Sequence, residues 1–255
     1  MKVHHLNCGT MRPPGGFTLV CHCLLLETPR GLCLVDTGFG RGEAAFGALP
    51  GYYRRLVRPA LAQEESAHHQ VTALGHDPRD VRDIVVTHLD VDHAGGLRDF
   101  PWARVHLHAA EHAAATRPAR PADRNRYRAR QWEHGVDWMT YDDRGGDTLF
   151  GLSAIRPLHD LPGLALIPLA GHSRGHSGVA VDTGDGWLLH AGDAYWFHGE
   201  VAPRPHCPLA LSLTQRLIAD DHRARTENLS RLRDLPAEVR LFSAHDPHEL
   251  DLALT

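Results

Sequence analysis

Four apolar runs in this chain finish on a residue able to hold a metal ion. DIVVTH ends at His88, ALIPLAGH at His172, WLLHAGD at Asp193 and VRLFSAH at His245. Short runs of this kind read as buried strands. If all four belong to one core, their ends can converge on one edge of the sheets, so that residues far apart in sequence share a cleft. One histidine after a strand is more often a hydrogen-bonded bystander than a ligand. Four such endings in one chain point to a site.

The first ending is the densest. In THLDVDHAGG, residues 87–96, His88, Asp90, Asp92 and His93 fall within six positions. His88 and Asp90 alternate at period two and face the same way in an extended chain, while Asp92 and His93 point elsewhere as the chain turns. One segment can therefore serve two metal ions. Gly95 and Gly96 follow at once and allow the backbone a tight entry into a helix. Imidazole with carboxylate suits zinc, iron, manganese or cobalt, and the absence of thiolate among these candidates argues against a structural zinc site. The chain holds 21 histidines in 255 residues, an excess in keeping with a metal site.

Together these segments resemble the metallo-β-lactamase superfamily of hydrolases. LVDTGFG supplies its Asp-Thr-Gly signature at Asp36, Thr37 and Gly38. His88-x-Asp90-x-Asp92-His93 follows its H-x-H-x-D-H motif except at the second position, where aspartate replaces histidine. GHSRGHSG, HAGDA and FSAHD supply the later landmarks in order. The resemblance implies an α+β fold, a four-layer αββα sandwich built as a single domain over residues 1–255. It places His88, Asp90 and His172 on one divalent metal and Asp92, His93 and His245 on the other, with Asp193 bridging. Asp92 and Asp193 are the catalytic candidates; Asp36 and His176 are expected behind the ligands, His22 and Tyr195 beside them or in the substrate pocket, and His198 and His206 are weaker pocket candidates. The metals implied are zinc, or iron or manganese given the oxygen ligand Asp90.

Within the superfamily, CHCLLLETPRGLCLVDTGFG, the HAGG after the metal motif, GHSRGHSG and the closing AHD resemble the N-acyl-homoserine lactonase branch. The implied reaction is hydrolysis of a lactone or related ester carbonyl, with phosphoester or thioester hydrolysis as the alternative. Those lactonases commonly carry a tyrosine three residues after the bridging aspartate; here Tyr195 stands two after Asp193, and Trp196 is third. Asp90 also invites comparison with flavodiiron proteins, which share the fold and carry a carboxylate in that slot. With so few residues after His245, no attached flavodoxin domain is expected, so di-iron oxidoreductase chemistry is the lesser reading. Neither a G-x-S-x-G elbow nor a phosphate-binding glycine loop occurs in the sequence.

The remaining sequence sets limits. A formal net charge of -4 without long charge runs indicates no nucleic-acid partner. No segment approaches the roughly 18 apolar residues of a membrane span, and MKVHHLNCGTMRPPGG lacks a secretory apolar core, so a cytoplasmic protein with a small-molecule substrate is expected. Five cysteines without CxxC spacing read as reduced and structural. Further strands are expected at Phe17–Glu27, Leu32–Val35, Ile84–Val86, Leu164–Leu169, Gly178–Val181, Trp187–Leu189 and Val239–Phe242, with helices over 66–75, 109–116 and 212–234. RPARPADRNRYRAR, Arg117–Arg130, reads as a solvated loop, and His106, His108 and His112 as a surface or strand-end group. Met11–Phe17, Phe39–Tyr53 and Tyr195–Cys207 are the expected pocket loops, and FGALPGYY is a candidate lid or homodimer contact.

Overall fold

The computed structural model describes residues 1–41, 49–144, 146–155 and 157–255. Part of the candidate lid FGALPGYY, residues 46–48, lies outside them. One sheet takes its strands in chain order: β1 (Lys2–Met11), β2 (Leu19–Thr28), β3 (Gly31–Val35), β4 (Val81–Val85), β5 (Arg104–His108) and β6 (Asp137–Tyr141). The first three are antiparallel and the pairs from β3 to β6 parallel. After a small hairpin of β7 (Asp147–Leu149) and β8 (Leu152–Ala154), the second sheet is ordered β12 (Val239–Phe242), β11 (Trp187–His190), β10 (Ser177–Asp182) and β9 (Leu164–Pro168).

Side-chain alternation along the strands makes the layers. Leu24 and Leu26 of β2, Val35 of β3 and Val85 of β4 turn to one face and pack with Leu166, Val179, Val181, Leu188 and Phe242 of the other sheet. The residues between them, Cys23, Leu25 and Leu34, pack outward with Val71 of α2 (Ala67–Ala73) and Ala114 and Ala115 of α4 (Ala109–Thr116). On the far side Ala165, Ile167, Ala180 and Leu189 meet Leu229 and Leu232 of α7 (His222–Arg233). Period two in the strands, with apolar residues on both faces, thus requires helices outside each sheet. The architecture is the expected αββα sandwich.

Several expectations need correction. The helix expected over 212–234 is two, α6 (Leu209–Ile218) and α7, and the break has a cause. The Asp220 and Asp221 N–H groups donate to the carbonyls of His172 (3.1 Å) and Gly171 (2.9 Å), while the Asp221 carboxylate caps α7 through the Ala224 N–H. An unbroken helix would withdraw those donors from the loop that carries His172. Of the surface or strand-end reading of His106 and His108 only the second half holds: His108 ends β5, but both are buried, and His106 bridges Asp83 (3.0 Å) and the Tyr141 hydroxyl (2.8 Å). His112 lies on α4 with its ring edge-on to Trp138. The Arg117–Arg130 stretch contains a short helix, α5 (Pro121–Arg126), whose last residue reaches the site described below. Among the described residues no helix is long and apolar enough to cross a membrane.

Leu166 is fully buried between the sheets. Leu166→Ala should cost about 3 kcal/mol of unfolding free energy, as the midpoint of urea unfolding would show, whereas Leu217→Ala, at an exposed side chain, should change stability by less than about 0.5 kcal/mol.

Candidate metal centre

Parallel pairing aligns strand ends. β3 and β4 run together with Val35 opposite Val85, so Asp36 and His88 emerge on the same edge; β11 and β12 run together, so Asp193 and His245 do the same. Backbone bonds then tie the two edges. The Ser177 N–H donates to the Thr87 carbonyl (2.9 Å), and in β2 the His22 and Val20 N–H groups donate to Ala244 (2.8 Å) and His245 (3.3 Å). Gly192, between β11 and Asp193, holds φ 54°, and a Cβ there would stand 2.6 Å from His176 Nε2. This turn accepts only glycine.

The donors meet in two groups, His88 with His172 and Asp193, and Asp92 with His93 and His245, each with one ligand atom per residue within 4.8 Å of the others. Asp193 reaches both. Its Oδ2 is 3.2 Å from His172 Nε2, and its Oδ1 is 3.2 Å from His93 Nε2 and 3.1 Å from His245 Nε2. Asp92 Oδ2 lies 3.6 Å from His245 Nε2. Asp90 Oδ2 stands 3.3 Å from His88 Nε2 and 3.1 Å from His172 Nε2. Four ligands at about 2.1 Å around a tetrahedral ion would be spaced roughly 3.4 Å apart, close to these separations. His88 Nε2, His93 Nε2 and Asp193 Oδ1 are buried with no hydrogen-bond partner among the described residues. Buried polar atoms in proteins generally find a partner, and these three converge on one point, so the donor set fits divalent cations.

Groups behind the ligands fix which nitrogen faces inward. Asp36, held at φ 57°, accepts from the Thr87 N–H (2.8 Å), the Thr87 hydroxyl (2.8 Å) and His93 Nδ1 (2.8 Å). With the Thr87 hydrogen given to Asp36, His88 Nδ1 donates to Thr87 Oγ1 at 3.0 Å. His245 Nδ1 donates to the Val20 carbonyl at 2.7 Å. In its neutral form, which a metal requires, each of these three rings therefore turns the lone pair of Nε2 to the centre. His176 Nδ1 donates to Leu169 while its Nε2 accepts the Asp193 N–H (2.8 Å), leaving it no nitrogen for a metal; it positions Asp193.

The electrostatics agree with cation binding. Burial alone would raise the Asp193 pKa, but the imidazoles of His245, His93 and His172 hold it well below the ordinary range. Burial would lower that of His93, yet Asp193 and Asp36 keep it well above. His172 is driven down to about 3, by burial first and then by the Arg126 guanidinium. Its ring is neutral at any ordinary pH.

Two residues expected beside the ligands are elsewhere. Tyr195 is buried with its hydroxyl donating to Glu249 (2.9 Å), because the chain after Asp193 turns its second residue outward and its third inward. It is Trp196 that meets the centre, its Nε1–H donating to Asp193 Oδ2 at 3.0 Å. His22 pairs with His5 (2.8 Å) and stacks near Phe242; its backbone rather than its ring supports the site. His198 pairs with Asp246, and His206 Nδ1 contacts the Arg204 carbonyl.

Three contributors carry no motif. Glu111 of α4 is fully buried and takes the Leu89 N–H on one oxygen and the Ser173 hydroxyl and Gly175 N–H on the other, joining both ligand loops. Glu249 of α8 (Pro247–Leu254) accepts the Ser243 N–H and the Tyr195 hydroxyl, linking the loops of His245 and Asp193. Arg126, from the stretch read as a solvated loop, grips Asp90 through both carboxylate oxygens. A helix that opens directly after a buried strand, with a lone acid among its alanines, is the signal that could have exposed Glu111.

The family profile of the metallo-beta-lactamase superfamily matches residues 16–245. The chain belongs to this superfamily. A Mycobacterium tuberculosis protein named "probable metallo-hydrolase" is 40% identical over 258 residues, covering 99% of this chain and 83% of the relative. An N-acyl homoserine lactonase of Bacillus thuringiensis is 28% identical, covering 84% of this chain and 81% of its own. Among solved structures, an N-acyl homoserine lactone hydrolase with the product N-hexanoyl-L-homoserine at its catalytic metal centre superimposes with a TM-score of 0.74 at 22% identity, covering 98% of this chain and 95% of that one.

Burial lifts the Glu249 carboxyl to about 7. Because the folded value exceeds the ordinary 4.5, folding favours the protonated acid, and the stability this contributes is present below about 4.5 and lost as pH rises to about 7. Glu249→Gln should remove that slope. Melting temperatures of the two proteins measured between pH 4.5 and 8 should diverge as pH rises, with the wild type falling relative to the variant.

Proposed function

We propose that this metal-dependent hydrolase uses a dinuclear centre to open a lactone, or a related ester, that carries an apolar acyl chain. The observation that carries the reading is the Asp193 carboxylate presenting one oxygen to His172 and the other to His93, with His245 in reach of both, at the floor of an apolar cavity. His88, Asp90 and His172 would hold one divalent ion, Asp92, His93 and His245 the other, and Asp193 both. Zinc fits these donors, and the oxygen of Asp90 admits iron or manganese. Two such ions supply a nucleophile drawn from water at neutral pH and polarise the carbonyl under attack.

The chain's own residues do the rest. A cavity of about 510 Å³ rises above Asp92, His172, Asp193 and His245, walled by Met11, Phe17, Leu19, Tyr53, Val57 and Leu211. Such a wall excludes water from an aliphatic chain and aligns the carbonyl to which the chain is attached. Of the expected pocket loops, Met11–Phe17 and the Tyr52–Tyr53 end of the second contribute to it; the third supplies Trp196, and α6 forms the remaining side. Trp196 fixes Asp193 through its indole N–H. Asp92, at the border of this cavity and a second, more polar one of about 550 Å³, is placed to take a proton from the attacking water and return it to the leaving oxygen. The polar cleft, with Asn125, Arg128 and Arg174, leaves room for the leaving-group side of the substrate.

Protein purified without added metal, then loaded with zinc or manganese, should bind two equivalents. Assayed on acyl homoserine lactones of several chain lengths, aryl esters, thioesters, β-lactams and phosphodiesters, it should prefer the lactones or esters with longer chains. Asp193→Ala should lower that activity more than about a hundredfold and reduce the metal bound. Binding of fewer than one equivalent, or activity undiminished in Asp193→Ala, would sink the proposal.

A further inference from the structure

We infer that Asp90 and Arg126 act as one unit that takes both the place and the net charge of a neutral histidine ligand, with Arg126 a positioning and charge-balancing residue of the metal centre. The inference rests on the dinuclear reading above. In the H-x-H-x-D-H pattern the second position is an imidazole, which adds no charge to the centre. Aspartate in that position makes three carboxylates, with Asp92 and Asp193, where the pattern has two. A third carboxylate would weaken the pull of the bound cations on substrate oxygen, because their positive charge is what the reaction uses.

Arg126 restores the balance with its guanidinium at contact distance. Its Nε donates to Asp90 Oδ1 at 2.7 Å and its Nη2 to Oδ2 at 2.6 Å, the bidentate geometry that suits arginine to carboxylate. Nη1 donates to the carbonyls of His172 (2.7 Å) and Ile218 (3.1 Å), and Nη2 also contacts His172 Nε2. Four of the five N–H donors are thereby spent on Asp90 and the two carbonyls, and the fifth faces His172 Nε2, the nitrogen a metal would take up. The arginine is therefore fixed by the ligand loop and by the end of α6, rather than by solvent. Both side chains are mostly buried, with relative exposures of 17% and 19%, so water screens the pair little. Three carboxylates and one guanidinium carry the same net charge as two carboxylates. Asp90 can then offer an oxygen 3.1–3.3 Å from two ligand nitrogens without over-neutralising the centre.

A charge unit and a mere support for Asp90 predict opposite signs for one variant. Chelator-stripped protein would be titrated with zinc, and separately with manganese, in competition with a chromogenic chelator. Asp90→Asn, which removes an anion and leaves Arg126 unpaired beside a dication, should weaken metal binding by more than about tenfold. Arg126→Met, which removes a repelling cation, should tighten it by about tenfold, and the double variant should return to within about threefold of wild type. Should Arg126→Met be unstable by circular dichroism, Arg126→Lys keeps the charge with fewer hydrogen bonds and should stay within about threefold of wild type. Weakening by Arg126→Met similar to that of Asp90→Asn, or no change, would overturn the charge unit and leave Arg126 a scaffold; so would weakening by Arg126→Lys. Wild type that takes up no metal would overturn the dinuclear reading and this inference with it, whereas wild type binding two ions while the variants follow the scaffold pattern would overturn the inference alone.

Discussion

The fold is organised around the cost of burying Asp193. Its carboxylate lies at the junction of the two sheets, 3% exposed at the side chain, with one oxygen lacking any hydrogen-bond partner among the described residues. An anion in such a place is destabilising unless positive charge surrounds it. The chain brings three imidazoles from three separate segments to within 3.2 Å of it, and of these His93 and His245 are held toward the charged form while His172 stays neutral. To bring them there, β4 must end beside β11 and β12, and the loop after β9 must fold back over the same edge. The parallel registers of Val35 with Val85 and Leu189 with Leu241 do this. The sandwich and the site are consequences of the same alignment.

That alignment is held from outside by acids which themselves do no chemistry. Glu111 fixes the segments of Leu89 and Ser173 from the first helical layer, and Glu249 those of Ser243 and Tyr195 from the C-terminal helix. Each accepts backbone N–H groups that the ligand loops cannot pair within a sheet, because a loop that turns to present a side chain leaves the ladder. The break between α6 and α7 works in the same way with donors in place of acceptors, giving the Asp220 and Asp221 N–H groups to the loop of His172. Supports of this kind set ligand positions to the few tenths of an ångström that coordination requires.

How much of this the sequence reveals depends on how local each cause is. The ligands are legible because each follows an apolar run whose strand character is visible in a few residues, and because four of them crowd into positions 88–93. The second sheet is legible for the same reason: Val239–Phe242 is recovered to the residue and the other strands to within one or two. β1 and β5 are obscured by the histidines and asparagine within KVHHLNCGTM and RVHLH, which mask their alternation although the backbone pairing is regular. Tyr195 misleads because its type matches a family feature while its position sends it to Glu249.

Arg126 shows where local reading fails for a physical reason. Six arginines and two prolines within Arg117–Arg130 signal solvation, and for Arg117, Arg124 and Arg130, which have no partner that composition could name, that remains a sound default. Composition cannot register that an aspartate thirty-six residues earlier has replaced an imidazole and left a buried negative charge to be matched. The need for a cation arises at Asp90, and the structure meets it with the only side chain that can satisfy a carboxylate with two parallel bonds while still donating to the backbone on either side. A departure from a metal motif is thus better read as one half of a pair. Its partner should be sought among charges that look idle in sequence, on any segment the fold can bring across the mouth of the site.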